Sequence, residues 1–140
     1  MRAALFLMLG LAAFAQTLER TTNFLVKLSD PIGGKVSKAG QKIGAVIISP
    51  ETFLGGRFEG VVKQAAPGKV TVEFTTLRYK DRTLAVATTT AGFVNSLGHP
   101  SVDEQERPVA VEQGMLTSTT PDFVIDEGAE LKLKVSPAKP

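Results

Sequence analysis

An all-β domain, a small antiparallel barrel or sandwich, follows from three features of this 140-residue chain. Val70, Val72 and Phe74 alternate with Lys69, Thr71 and Glu73, and residues 130–135 (ELKLKV) alternate in the same way. A period of two marks a strand with one buried face. Short apolar runs are punctuated by turn residues: Asp30-Pro31, Gly33-Gly34, Gly55-Gly56, Pro67-Gly68 and Asp126-Glu127-Gly128. Beyond residue 15 no stretch sustains the 3.6-residue apolar period of a helix.

Residues 1–15 read as a signal peptide, an N-terminal helix preceding the domain. Arg2 supplies the positive start, residues 3–15 (AALFLMLGLAAFA) are apolar, and Ala13-Phe14-Ala15 is a small-x-small cleavage pattern before Gln16. The 13-residue apolar run falls short of the roughly 20 residues that span a bilayer. Residues 16–140 then form a single β-domain with 15 basic against 14 acidic residues, a charge of +1 and no transmembrane span. The absence of Cys excludes lipoprotein processing, disulfides, iron–sulfur clusters and thiol nucleophiles. Export without Cys suits the bacterial periplasm or the extracellular space, because a domain of this length can rely on core burial alone. A balance of 16 basic to 14 acidic residues gives no nucleic-acid-binding face, despite a pI near 9.0.

Taken in order, residues 24–29 (FLVKLS) form a first strand that stops at Asp30-Pro31, and residues 37–40 (SKAG) form a second turn. Residues 42–49 (KIGAVIIS) are apolar at both alternating sets of positions, which predicts a strand covered on each face and ended by Pro50. Gly55-Gly56 leads into residues 57–64 (RFEGVVKQ), and Ala66-Pro67-Gly68 makes a hairpin turn into the alternating strand from Lys69. There the apolar phase shifts, since Phe74 is followed by Leu77 and Tyr79, so a β-bulge or sharp bend is expected at Thr75-Thr76. Lys80-Asp81-Arg82 turns the chain into residues 83–88 (TLAVAT). Residues 91–97 are readable as strand or irregular chain, 98–108 as a long polar loop, 109–111 as a short apolar stretch and 114–121 as extended or disordered. Residues 123–125 precede the last strand. Lys27-Leu28-Ser29 is echoed by Lys134-Val135-Ser136, and these two end strands could pair and close the sheet, or the echo is chance.

Between Phe24 and Val86 the turn glycines and apolar positions Gly40, Ala45, Gly56, Gly60, Val70, Phe74 and Leu77 keep a regular rhythm. This half of the domain resembles a group of small exported bacterial β-domain proteins of unassigned function. More distantly, it resembles the C-terminal β-barrel of the outer-ring scaffold subunit of conjugation-type (type IV) secretion channels. The resemblance implies a β-domain in the cell envelope. It does not imply a pore: the scaffold's membrane helix, Pro-rich linker and channel-lining helical insertion have no counterpart here. Glycine's own physics also produces the rhythm, through positive φ at turns and close backbone approach at bends, and a β-branched residue at Gly56 or Gly60 is therefore expected to destabilise the fold.

No residue pattern announces a reaction. His99 is the only His and lacks a nucleophile motif beside it, so it reads as a loop residue. Asp103, Glu104 and Glu106 offer oxygen ligands, but 98–108 lacks the alternating acids and central Gly of a calcium loop and reads as a solvated acidic loop. Arg57, Lys63, Arg78, Lys80 and Arg82 crowd two neighbouring strands, with Glu59 and Glu73 placed as cross-strand partners. Gly55-Gly56 has no P-loop Lys-Ser/Thr after it. The expectation is a non-enzymatic interaction or structural module contacting another envelope component, without catalytic residues, metal or cofactor. The alternative is a small-ligand-binding barrel whose lumen is shaped by Ile43, Ala45, Val72 and Phe74; a hydrolase is the third reading.

Overall fold

A computed structural model describes residues 21–138, so the leader expected at 1–15 lies outside the described residues. Of the described residues, 59% are strand and 3% helical. Its strands are β1 (Thr22–Leu28), β2 (Ile32–Gly33), β3 (Lys42–Ser49), β4 (Arg57–Ala66), β5 (Lys69–Tyr79), β6 (Arg82–Val94), β7 (Ala110–Glu112), β8 (Met115–Thr117), β9 (Val124–Ile125) and β10 (Glu130–Pro137), with one 3-10 turn at Glu51–Phe53. Turn chemistry sets several of these limits. Gly55, Gly68 and Gly128 have φ of 89°, 77° and 88°, values that a Cβ disfavours, and Lys80 at 55° turns the tight β5–β6 hairpin.

Six strands close on themselves in the order β4-β3-β1-β10-β6-β5, and β5 returns to β4, every pairing antiparallel. The architecture is a closed barrel. The two end strands do pair: Thr22 faces Val135 and Lys27 faces Glu130. A β8–β7 ribbon extends from the start of β5, and β2 and β9 form a separate two-stranded sheet.

Closure needs strands that coil, and register shifts supply the coil. Glu59 faces Thr76 while Gly60 faces Phe74, so Thr75 is the extra residue at the predicted phase shift. The inward alternation therefore resumes in phase beyond the bulge: Phe74 and Leu77 are both fully buried.

 Val70, Val72, Phe74 and Leu77 all point into the core, two residues apart before the bulge and three apart across it. Three further shifts leave Lys63 on β4, Ala91 on β6 and Ile48 on β3 without an opposite residue. Gly60 makes the Thr75 bulge possible. A Cβ there would collide with the Glu73 carbonyl oxygen and lie 2.5 Å from Phe74 Cα. Gly56 is likewise a close-approach position, where a Cβ would stand 2.9 Å from the Arg78 carbonyl oxygen, while its neighbour Gly55 supplies the positive φ.

The barrel interior is filled with rings. Phe24 packs edge-on against Phe58 with centroids 5.3 Å apart, Phe58 lies 6.0 Å from Phe74, and Phe53 sits between Phe24 and Tyr79. Each fully buried large apolar side chain contributes about 1.5–3 kcal/mol. The expectation that β3 is covered on both faces is overturned. Ile43, Ala45 and Ile47 are buried, but Val46 is 46% exposed, because a single closed barrel has one core and its outer face meets solvent. Two other segments are more regular than their sequences suggest. β6 runs unbroken to Val94, and β8 occupies Met115–Thr117 within the Ser/Thr-rich stretch.

Two substitutions test this packing. Gly60→Val should cost about 3 kcal/mol or prevent folding, whereas Gly44→Ala, whose Cβ would meet only the Phe58 carbonyl oxygen at 3.6 Å, should change stability by less than about 1 kcal/mol in chemical denaturation. The Thr90 hydroxyl is buried with no hydrogen-bond partner, so the near-isosteric Thr90→Val should leave the melting temperature unchanged or raise it.

Candidate functional site

The loop between β6 and β7 is an ordered polar hub. Asp103 is 0% exposed. Its Oδ1 accepts the backbone N–H groups of Gln105 and Arg107, each at 2.9 Å. Its Oδ2 accepts Arg107 Nε at 2.6 Å and the Val124 N–H at 3.3 Å. Arg107 also reaches Asp122, with Nη1 3.0 Å from Oδ1. Asn95, buried just after β6, donates through Nδ2 to the Asp103 carbonyl and accepts the N–H groups of Leu97 and His99. The solvated acidic loop is thus corrected at Asp103, whose carboxylate is the internal anchor that ties residues 98–108 to β9. Burial pushes the Asp103 carboxyl up, but the Arg107 backbone N–H and guanidinium, with the N–H groups of Val124 and Gln105, outweigh it and hold the group below its ordinary value.

The three acids are turned to different partners. Glu104 Oε1 accepts the Ser96 N–H and hydroxyl at 2.6 Å each, and Glu106 lies 3.7 Å from His99 Nδ1 at the exposed rim. Among the described residues no group of three His, Asp or Glu side chains gathers at metal-binding distance.

The basic residues of β4, β5 and the β5–β6 hairpin lie on the outer wall. Arg78 Nε is 3.0 Å from Glu59 and Lys63 Nζ 3.6 Å from Glu73, so both acids hold the partners expected of them. Exposed pairs of this kind contribute about 0–1 kcal/mol each. Arg57 stands opposite Arg78 in the ladder, and Lys80 lies over the Tyr79 ring at 5.2 Å. The lumen candidates Ile43, Ala45, Val72 and Phe74 are brought together as members of the packed core.

A different feature has no counterpart in the sequence patterns. β5 and β6 pair only from Thr76–Ala85 to Tyr79–Arg82 at their hairpin, then separate. At the point of separation the Thr88 hydroxyl donates to the Phe74 carbonyl and accepts the Phe74 N–H, both at 2.9 Å, in place of ladder bonds. The β8–β7 ribbon enters the opening from the β5 side. At this end of the barrel the wall therefore reads β5-β8-β7, then a break, then β6. Among the described strands, β7 is paired only with β8, and β6 over residues 86–93 only with β10. A groove of about 900 Å³ occupies the break. Phe93 and Val109 line it and are almost fully buried, with Val111 packed against the core beside them. Lys69 and Lys132 lie at its exposed margin, together with Glu112.

No protein-family model matches the chain, and neither does any curated protein or solved structure.

Asp103→Asn keeps the shape but replaces an acceptor oxygen with a donor among four donors, and should destabilise the protein by about 3 kcal/mol. The native Asp103 pKa is depressed, so its contribution is present above the unfolded value near 3.9 and is lost as pH falls through the lower native value. Denaturation curves from about pH 5 to pH 2 should show less acid destabilisation in the Asn variant than in the parent.

Proposed function

We propose that this chain is an exported, non-enzymatic recognition module of the bacterial cell envelope, acting through its outer wall or a strand edge on another envelope component. The observation that carries this reading is the filled interior. Phe24, Phe58, Phe74 and Leu131 occupy the barrel centre with at most 2% exposure, where a ligand-binding barrel would keep a cavity of about 300–1,000 Å³. With the lumen spent on stability, the surface is left for contacts. The apolar leader with its Ala13-Phe14-Ala15 pattern supports export, and a glycine rhythm that resembles that of envelope scaffold barrels supports the compartment. At the same time, His99 and Glu106 stand at an exposed rim rather than in a water-excluding cleft, which supports binding over hydrolysis.

Expression of the whole chain with its own leader in a Gram-negative host should deliver a periplasmic protein with the mass of residues 16–140. Native mass spectrometry of that protein should show no bound small molecule, and cross-linking in intact envelopes should trap it in a species of discrete size. Cytosolic retention with the leader intact would refute export, and a co-purifying small ligand would favour the lumenal alternative.

A further inference from the structure

We propose that the break in the barrel wall between β6 and β7 is a docking slot for an extended polypeptide segment whose side chains alternate between apolar and acidic. This inference rests on the recognition reading and names the place and the chemistry of contact.

Two strand edges border one groove. A strand with a neighbour on only one side directs half of its N–H and C=O groups outward, and these groups can pair with an added strand. β6 is in that position over residues 86–93 and β7 over Ala110–Glu112, and residues of both line the groove. Strand addition of this kind takes affinity from main-chain hydrogen bonds and specificity from alternate side chains. β7 is three residues long, so the added segment pairs over about three to five residues.

The walls specify the two alternating sets. Towards the core the guest meets Phe93, Val109 and Val111, which call for apolar side chains. Towards solvent it meets Lys69 and Lys132 against the single acid Glu112. Gly92 shapes this margin. It faces Lys132 in the β6–β10 ladder, and the Lys132 stem lies across the space where a Cβ would stand, with Cδ 3.4 Å away. That leaves the β6 backbone uncovered by a side chain of its own and sets the lysine stem beside it. A net positive margin over an apolar floor is complementary to an acidic, amphipathic strand.

The test uses the domain 21–138 within the full mature chain, isotope-labelled, and three blocked heptapeptides. These are acetyl-Thr-Glu-Val-Glu-Val-Glu-Thr-amide, its counterpart with Lys for each Glu, and a version whose central Val is N-methylated and so cannot donate. The acidic peptide should shift the backbone amides of Ala91, Gly92, Ala110 and Val111, and paired Lys69→Glu and Lys132→Glu substitutions at exposed positions should weaken it about tenfold, equivalent to ~1.4 kcal/mol. The N-methylated peptide should bind more weakly than its parent. Equal binding of the lysine peptide, shifts centred elsewhere, or no shift at millimolar peptide would overturn the proposal. A photo-cross-linking residue in place of Ala91, compared with one in place of the exposed Val46 on β3, separates this inference from the broader reading. An envelope partner trapped through Val46 and not Ala91 sinks the slot and leaves recognition standing; trapping through neither counts against both.

Discussion

A six-stranded barrel closes only if its strands coil tightly enough for the last to meet the first, and here that requirement falls on one backbone contact. Gly60 lets β4 approach Glu73 and Phe74 so closely that Thr75 is squeezed out of register. The bulge increases the local twist of β5 and carries it round onto β4. It also realigns the inward phase, so that Leu77 joins Phe74 in the core instead of facing solvent. Without that contact the sheet would have two open edges and the ring cluster of Phe24, Phe58 and Phe74 would lose one wall.

Coiling has a second effect, at the other side of β5. A strand bent towards one neighbour leaves the other, and β6 parts from β5 beyond Ala85. The molecule accommodates the divergence with a side chain and a ribbon: the Thr88 hydroxyl occupies the Phe74 backbone groups, and β8 takes the start of β5. What remains uncovered is the far edge, between β7 and β6. The groove is therefore a geometrical product of closure, placed where the bulge directs the strands apart.

Much of the barrel is legible in the chain because its determinants are local. Alternation located β5 and β10, turn residues separated the strands, and the Phe74-to-Leu77 spacing placed a bulge or bend at Thr75-Thr76, where Thr75 is the extra residue. Even the echo between Lys27-Leu28-Ser29 and Lys134-Val135-Ser136 pointed to strands that are paired, β1 with β10. The polar hub was not legible. Asp103 looks like its neighbours Glu104 and Glu106 until Arg107, Asp122 and Val124 are brought to it, and two of those three come from a segment about twenty residues further on. Nor was the groove. Its floor residues Phe93, Val109 and Val111 read as ordinary core positions, and the break between edges is a relation among four strands that no single stretch records.

The seam between β1 and β10 also fixes when the ring can form. β1 is flanked by β3 on one side, but its other neighbour is the final strand, more than a hundred positions away, and β6 waits for the same partner. Nothing seals until residues 130–137 have left the ribosome, and contacts of such long sequence separation assemble slowly. A nascent chain therefore remains an unlocked ribbon, and the lock is turned only when its last strand emerges.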